Sequence, residues 1–295
     1  MQYTADNLLV RPEQAPAEEG LVVDIPPAKA GWELIHFQAR RLQTGDTWTG
    51  MTGGCEAVLV NLTGTYTVST RQGKWTEVGG RANVFEAAAH ALYLPRGTEF
   101  AIAADEGGEF AFAMVPSAED HEPFLIRPED VSVSIRGGGN VSRQINDLLP
   151  PGSPVHRLVL VEVYTPGGNW SSYPPHKHDV HVEGEGQGLT QADLEEIYFY
   201  KFDRPDGYAF QRVYTDERCP LHQAGTPIDA VVMPRENDTV LVPEGYHPVT
   251  SAPGYTAYYL NVLAGSAQAL AAQDDPRYAW VKETYGPPDP RLPLY

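Results

Sequence analysis

The sequence is poor in cysteine, in positive charge and in long apolar runs. Its 295 residues include only 2 cysteines, Cys55 and Cys219, which are too few for a disulfide framework. We expect both to be reduced thiols of a cytoplasmic protein. No stretch approaches the ~18 consecutive apolar residues of a membrane-spanning helix. The first residues also lack the charged and apolar regions of a signal peptide.

Lysine and arginine number 21 against 39 aspartate and glutamate residues, which gives a formal charge of −18. This balance excludes the basic surface that binds nucleic acids or anionic membranes, so we expect neither partner. An anionic small substrate would also be repelled at long range, so its site would need local cations or a metal ion.

Several motifs are absent as well. No Gly-x-Gly-x-x-Gly opens a helix after a strand, no Gly-x-x-x-x-Gly-Lys loop occurs, and no Gly-x-Ser-x-Gly elbow is found. The sequence therefore does not imply a nucleotide cofactor.

Short β-type runs between glycine, proline and charged residues dominate what is present, in a chain with 28 Gly and 26 Pro. The runs are 57–62, 65–70, 110–115, 158–164, 197–202, 211–215, 230–234, 240–243 and 255–263. This spacing predicts an all-β fold of the sandwich or barrel type. The best helical segment is the alanine-rich 267–273, and a short helix is predicted near 142–149.

A glycine-rich break at 135–141 divides the chain into two halves that carry similar features. In each half an apolar strand end is followed by Pro-x-Gly, at 95–97 and at 243–245. The segment 54–60 also corresponds to 194–200. These matches suggest a divergent internal repeat.

The densest cluster of chemically useful side chains lies at 173–179. On a strand, His176 and His178 point to one face with Cα atoms ~6.6 Å apart, and Lys177 points to the other. Two imidazoles at this spacing can bind one divalent ion. A surface or hydrogen-bonded pair is the alternative and, for an isolated His-x-His, the commoner interpretation.

Further ligands would have to come from neighbouring strands. Glu195 and Glu196 lie on opposite faces of the next β-run, so at most one of them can contribute. His247 follows the second Pro-x-Gly turn, and His181 is a competing ligand on the face opposite His178. Three imidazoles and one carboxylate suit Zn, Mn, Fe, Ni or Co.

The order His-x-His, Glu, Pro-x-Gly-x-His resembles the metal-binding signature of the cupins. The sequence also looks like the 5-deoxy-glucuronate isomerase family of inositol catabolism, which is related to the 4-deoxy-5-ketouronate isomerases. The segments that carry this resemblance are 172–179, 195–200, 211–215, 243–249, 258–262 and 293–295. It implies an all-β bicupin, two tandem jelly-roll β-barrels: an N-terminal barrel at 1–138, a metal-binding barrel at 139–266 and a C-terminal helix and tail at 267–295.

The resemblance implies one divalent metal ion, with zinc favoured over Mn, Fe, Ni or Co. The ligands that it implies are His176, His178, Glu196 and His247. Phe100 stands near the position where a ligand histidine would follow the first Pro-x-Gly, so the N-terminal barrel is expected to be metal-free.

The implied reaction converts the aldose 5-deoxy-D-glucuronate to the ketose 5-dehydro-2-deoxy-D-gluconate. A metal ion would stabilise the enediolate. The base is left open: a hydroxide on the metal, a side chain among Tyr173, Tyr198 and Gln211 (where glutamine could only orient), or none if a hydride shifts. Arg212 and Arg235 are candidates to bind the substrate carboxylate. Gln211 and Arg212 cannot both face inward on a regular strand.

Two other functions remain open. A cupin-type Fe(II) dioxygenase would use the same ligands and consume oxygen, and a sugar-acid-binding module would have no activity. In each case the expected partner is a small sugar acid, and self-association into a homo-oligomer is left open.

Overall fold

A computed structural model describes residues 1–13, 20–186 and 188–295. The strands of the described part are β1 Leu9–Val10, β2 Leu21–Ile25, β3 His36–Leu42, β4 Thr47–Met51, β5 Cys55–Asn61, β6 Thr65–Thr70, β7 Lys74–Gly79, β8 Ala91–Leu94, β9 Glu99–Glu106, β10 Gly108–Pro116, β11 Phe124–Ile126, β12 Ser132–Arg136, β13 Arg143–Leu149, β14 Val159–Thr165, β15 Trp170–Ser171, β16 His176–Lys177, β17 Asp179–Gly184, β18 Gly188–Phe202, β19 Ala209–Tyr214, β20 Asp229–Val232, β21 Thr239–Val242, β22 Val249–Ser251, β23 Ala257–Gly265 and β24 Gln273–Asp274.

Helices are few and short. They are α1 Ala5–Leu8, α2 Pro27–Ala30 and α3 Pro220–Gln223, with 3₁₀ turns at Pro128–Asp130, Gly139–Val141 and Ala279–Thr284. The predicted all-β fold is confirmed. Within the described ranges, no helix has the length and apolar character needed to cross a bilayer.

The chain divides into two compact units. The N-terminal unit comprises Pro12–Ser132, Gly152–Leu158 and Tyr295, and the C-terminal unit comprises Met1–Arg11, Val133–Pro151 and Val159–Leu294. These limits differ from the predicted 1–138, 139–266 and 267–295. Residues 1–11 belong to the C-terminal unit because β1 pairs with β21 and Arg11 forms a 2.9 Å ion pair with Asp238. Residues 152–158 belong to the N-terminal unit because the Glu56 carboxylate accepts hydrogen bonds from the backbone N–H groups of 156–158.

Two antiparallel sheets enclose the core of the N-terminal unit. Their strand orders are β11-β8-β5-β10-β3-β2 and β4-β9-β6-β7. Apolar side chains from both sheets meet in one cluster. At its centre the Trp48 ring lies 5.0 Å from Phe100 and 5.1 Å from Phe112. Phe100 therefore packs in the core, at the place where the cupin pattern led us to look for a histidine.

The C-terminal unit has the same strand order. Its large sheet runs β21-β18-β23-β14-β13, matching β8-β5-β10-β3-β2, and its small sheet runs β15-β22-β19-β20, matching β4-β9-β6-β7. β12 extends the large sheet at one edge and β1 at the other, β17 pairs with β18, and β16 pairs with β24. The internal repeat is therefore present as a repeated strand order.

The strand pairing in the two units shows that the sequence match of 54–60 with 194–200 is shifted by one residue. Leu94 and Val242 each precede Pro-x-Gly, and their cross-strand partners are Ala57 and Glu196. The structural equivalent of Glu196 is thus Ala57, and not Glu56, as matching 54–60 with 194–200 had placed it. Sequence similarity alone did not show this shift, because both segments contain a glutamate and an apolar run.

Both predicted helices are wrong. Residues 143–149 form β13, because pairing with β14 brings Ile145 opposite Val163 and satisfies the backbone along a whole strand. Residues 267–273 bend and then enter β24, because the Ala271 carbonyl accepts the Ala192 N–H at 3.0 Å and β24 pairs with β16. These tertiary hydrogen bonds outweigh the helix propensity of alanine. The only helical turn in the C-terminal tail of the described chain is the 3₁₀ turn at Ala279–Thr284.

A buried ion pair fixes the short strand of the His-x-His motif. The Lys177 ammonium donates to the Asp179 carboxylate, and the two side chains are only 2% and 0% exposed. Asp179 also accepts a 2.9 Å hydrogen bond from the Gln191 amide on β18. β16 is only two residues long and has few backbone hydrogen bonds of its own. The Lys177–Asp179 pair, on the face opposite the two histidines, connects it to β18 through Gln191.

The turn before His247 requires glycine. Gly245 has φ +90°, and a Cβ there would collide with the Tyr214 carbonyl oxygen. The neighbouring Tyr246 exchanges backbone hydrogen bonds of 2.9 and 2.8 Å with Tyr214. The close approach of the two backbones thus sets the position from which His247 enters the interior.

We expect Gly245→Ala to destabilise the protein more than Gly254→Ala. Gly254 also has φ +90°, but a Cβ added there would have no atom within 4 Å, so its replacement measures backbone strain alone. Strain costs on the order of 1–3 kcal/mol at either site, and the steric contact should add about 1–3 kcal/mol at Gly245. Urea denaturation of the two variants gives the difference, and equal losses would contradict the close approach.

We also expect Lys177→Met to lower the free energy of unfolding by about 3–5 kcal/mol, since it leaves the Asp179 carboxylate buried without its cation. The control is Lys282→Met, whose ion pair with Asp274 has side chains 55% and 28% exposed. Its loss should cost less than about 1 kcal/mol. Chemical denaturation measures both, and a Lys177→Met variant as stable as the control would show that the buried pair does not hold β16.

Candidate metal centre and cavity

A cavity of about 410 Å³ opens on the inner face of the large sheet of the C-terminal unit. Its size lies within the range of roughly 300–1,000 Å³ that is usual for small-molecule sites. Alternate residues of β13, β14, β18 and β23 line it, as the two-residue period of a strand requires. They are Arg143, Ile145, Val161, Val163, Leu194, Glu196, Tyr198, Tyr259, Asn261 and Leu263.

Three potential ligand atoms converge at this wall. His178, Glu196 and His247 each offer one, and the three atoms lie within 4.8 Å of one another. The Glu196 Oε2 atom is 2.9 Å from His178 Nε2 and 3.2 Å from His247 Nε2. All three side chains are buried. Glu196 enters from β18, His178 from the end of β16, and His247 from the turn after β21.

Backbone carbonyls orient the imidazoles. His178 Nδ1 lies 3.1 Å from the Leu194 oxygen, and His247 Nδ1 lies 2.9 Å from the Gly245 oxygen. A carbonyl can only accept, so each Nδ1 carries the proton and each Nε2 is directed inward. The same arrangement fixes histidine ligands around metal ions in proteins.

One ligand atom of the group, Nε2 of His247, has no hydrogen-bond donor or acceptor paired with it among the described residues. Burial, with His176 and His178 nearby, lowers the pKa of His247 to about 3 despite the opposing effect of Glu196. Its Nε2 is therefore a lone pair facing the Glu196 oxygen, and it is a buried atom without a hydrogen-bond partner. Burial also disfavours the charge on His178, but the hydrogen bond to Glu196 outweighs this and raises its pKa. His178, Glu196 and His247 could thus hold a metal ion, which would separate the opposed acceptors.

His176 lies beside this group. Its ring centroid is 4.9 Å from that of His247, and its Nδ1 is 3.4 Å from the Pro174 oxygen. Burial and the neighbouring charges of His178 and Arg143 lower its pKa to about 3. It lines the cavity but is not one of the three residues whose ligand atoms lie within 4.8 Å.

The structure separates the alternative ligands from the cavity. Glu195 is not among the lining residues, and its charge acts instead on Tyr3. His181 is exposed and hydrogen-bonded to Ser266 at 2.8 Å. Period-two alternation along β18 accounts for Glu195, whereas the register of β17 shifts between Asp179 and Val182, where His181 lies.

The three candidate catalytic side chains have different positions. Tyr198 lines the cavity with its hydroxyl 3.1 Å from Ser172 and its ring 5.8 Å from that of His247. Tyr173 also lines the cavity, and its ring lies 5.4 Å from Trp170. Gln211 is buried but does not line the cavity, because it accepts a 2.8 Å hydrogen bond from the Tyr200 hydroxyl.

The two arginines predicted to bind substrate lie outside the cavity lining. Arg212 is on the outer face of β19, where it pairs with Asp229 at 2.9 Å and its guanidinium covers the Tyr214 ring. Arg235 is an exposed turn residue. Arg212 faces outward because Gln211 takes the inward position, as alternation requires. Arg235 lies outside a strand, so the sequence does not show in which direction its side chain points.

Several cavity residues do not follow from the sequence. Arg143 could not be identified because the sequence predicted a helix there. Which residues of β13 face inward follows only from the pairing of that strand. Tyr259 lies in a run that is typical of packing, although its hydroxyl is 2.9 Å from Ser171 and its ring 4.7 Å from Tyr198. The sequence feature that could have identified Tyr259 is its alternation with Asn261 and Leu263 along β23, which puts the three on one face. The tail residues Asp274, Lys282 and Tyr285 line the cavity without any local pattern.

Comparison with known proteins agrees with this architecture. Residues 8–281 match the family described as KduI/IolB. The chain is 39% identical over 277 residues to a 5-deoxy-glucuronate isomerase of Geobacillus kaustophilus, covering 94% of this chain and 96% of that protein. It is 34% identical over 280 residues to the Bacillus subtilis strain 168 protein of the same name, covering 94% and 98%.

Solved structures give the same result. An IolB-like protein from Salmonella typhimurium superposes with a TM-score of 0.84 at 35% identity, covering 92% of this chain and 98% of that one. A Lactobacillus farciminis oxalate decarboxylase, at 12% identity, superposes with a TM-score of 0.62 over 92% and 89% of the chains, a likeness of fold alone. These likenesses confirm the bicupin fold, and the extent of the sequence match shows that the chain belongs to the KduI/IolB family.

Proposed function

We propose that the protein is a metal-dependent aldose–ketose isomerase that converts 5-deoxy-D-glucuronate to 5-dehydro-2-deoxy-D-gluconate. Relatives that carry the name 5-deoxy-glucuronate isomerase match nearly the whole chain. The observation on which the proposal depends most is the convergence of His178, Glu196 and His247 in a cavity of small-molecule size. The inward Nε2 atoms and the carboxylate oxygen form a donor set of the kind that binds zinc and related ions.

The proposed ligands are His176, His178, Glu196 and His247. His176 is part of the proposal because its ring is 4.9 Å from that of His247 and its pKa of about 3 keeps it neutral. When bound there, a divalent ion supplies a Lewis acid that polarises the carbonyl oxygen and lowers the cost of developing negative charge. Zinc is the ion that we favour, with Mn, Fe, Ni and Co as the alternatives.

Two phenols are positioned to act on the reacting oxygens. Burial, followed by the charge of Glu196, raises the pKa of Tyr198 well above its usual value. Burial also raises the pKa of Tyr259 to about 12. Both hydroxyls therefore keep their protons at neutral pH. We assign Tyr198 the role of hydrogen-bond donor to a substrate oxygen, with Ser172 orienting its hydroxyl.

Tyr173 and Gln211 act at a greater distance in this proposal. Tyr173 forms part of the cavity wall, and its carbonyl accepts a 2.9 Å hydrogen bond from the Tyr285 hydroxyl. Gln211 orients Tyr200, whose ring stacks 6.3 Å from that of Tyr198. Gln211 is then a positioning residue and does not touch the substrate.

The same reaction would place the protein in myo-inositol catabolism. We retain the cytoplasmic location as a prediction from the two cysteines, which are unpaired in the described structure. The substrate partner proposed is a small sugar acid.

We expect the purified protein to contain about one divalent ion per chain, because it offers a single proposed ligand set. His176→Ala and His247→Ala should each lose the ion and lower turnover of 5-deoxy-glucuronate by more than about 100-fold. His181→Ala is the matched control, since this histidine is exposed and outside the cavity lining. Elemental analysis measures the metal, and NMR of the reaction mixture measures the ketose.

Full activity in a thoroughly metal-stripped sample would refute the Lewis-acid role. The oxygen concentration should stay constant during turnover, because an aldose–ketose isomerisation consumes none. Oxygen uptake that depends on His247 would instead favour a dioxygenase with the same ligands. Binding of the sugar acid without turnover or oxygen uptake would favour a binding module.

A further inference from the structure

A cationic side chain lies inside the cavity without an acidic partner. Arg143 projects from β13 into the same cavity that His178 and Glu196 line. Among the described residues, no carboxylate forms an ion pair with Arg143. Its hydrogen bond goes to the Val141 carbonyl, at 3.4 Å, and its charge lies near the Tyr285 phenol.

Three cations of the C-terminal tail are paired with carboxylates. Lys282, which also lines the cavity, is paired with Asp274, and Arg277 and Arg291 are paired with Asp275 and Asp289. Arg136 lines the cavity as well, but its side chain is exposed to solvent. Arg143 thus differs from these neighbours in being a half-buried cation whose immediate partners are neutral.

The surroundings of Arg143 place it close to the candidate metal centre. Its charge acts on the tyrosines Tyr198, Tyr259 and Tyr285 and on His176. Burial lowers its pKa, yet a guanidinium remains charged at neutral pH. A half-buried charge is partly removed from water, so an anionic ligand that pairs with it would lower the free energy of the site.

The overall charge of the protein makes such a local cation useful to an anionic substrate. With a formal charge of −18, the protein repels an anionic substrate at long range. A guanidinium presents parallel N–H groups that match a carboxylate in a bidentate arrangement. The tyrosines beside Arg143 carry no charge, so they do not compete with a substrate carboxylate for the guanidinium.

We propose that Arg143 binds the carboxylate of the sugar-acid substrate and so directs the opposite, aldehyde end toward His178, Glu196 and His247. This assignment rests on the proposed function, and it replaces Arg212 and Arg235 as the carboxylate-binding residue. Tyr285 lines the same cavity and, through its 2.9 Å hydrogen bond to the Tyr173 carbonyl, joins the C-terminal tail to the cavity wall.

The test compares 5-deoxy-glucuronate with its neutral C6 amide in the holoenzyme. We expect the wild-type protein to prefer the acid by about 10- to 100-fold in kcat/KM. Arg143→Met should lower kcat/KM for the acid by about the same factor, mainly through KM, and leave the amide within about threefold. Arg143→Lys, which keeps the charge but not the bidentate fork, should fall between them.

Arg212→Met is the matched control, because Arg212 lies on the outer face of β19 and should leave both kcat/KM values unchanged. Metal content and the thermal unfolding midpoint are measured for every variant. An equal loss for acid and amide in Arg143→Met and Arg143→Lys would assign Arg143 a structural role and overturn the proposal. Unchanged discrimination in either folded, metal-loaded variant would overturn it as well.

Failure of the proposed function gives a different result. If the metal-loaded wild-type protein turns over neither compound, the isomerase assignment fails, and calorimetric titration with 5-deoxy-glucuronate then tests Arg143 alone. Binding by the wild-type protein that is lost in Arg143→Met would retain the carboxylate assignment. Equal binding, or no binding by either protein, would reject it.

Discussion

The chemistry of this protein depends on placing three polar side chains together in the interior of a β-unit. Glu196 Oε2 lies within 3.2 Å of the Nε2 atoms of both His178 and His247, and all three residues are buried. Removing such groups from water is unfavourable unless they are paired. The backbone carbonyls of Leu194 and Gly245 accept the outer Nδ1 protons, so both Nε2 atoms are directed at the Glu196 carboxylate. A metal ion could be held at that point, where Nε2 of His247 has no hydrogen-bond partner among the described residues, and this is why we regard the cluster as a candidate functional site.

The surrounding structure holds that arrangement from outside the cavity. The buried pair Lys177–Asp179 lies behind the two histidines of the first motif, and the narrow turn at Gly245 fixes the entry of His247. Neither feature touches the cavity. Both limit where the backbone can lie, and the fixed backbone positions the imidazoles next to Glu196.

Much of the centre followed from the period of two along a strand. It put His176 and His178 on one face, sent Lys177 to the other, and allowed only one of Glu195 and Glu196 to face inward. It failed where pairing with another strand, and not local propensity, decides whether a segment is a helix or a strand. The segment 267–273 has helix propensity but bonds to β18 and β16, and 142–149 becomes a strand only beside β14. That second error concealed the cavity-facing arginine, because the face that a residue occupies cannot be assigned before its element is known.

The two units share a strand order, yet their interiors are quite different. Only a small number of inward-facing residues accounts for this difference. In both units the residue before Pro-x-Gly pairs with a residue of the adjacent strand, which is Ala57 in one and Glu196 in the other. Around Ala57 the core contains Trp48, Phe100 and Phe112, packed as rings. Around Glu196 the equivalent space contains imidazoles, phenols and a guanidinium, with water-sized room between them. The sheets supply the same geometry in each case, so the chemistry is decided by the few inward positions and by the tail residues that close over one of the two units.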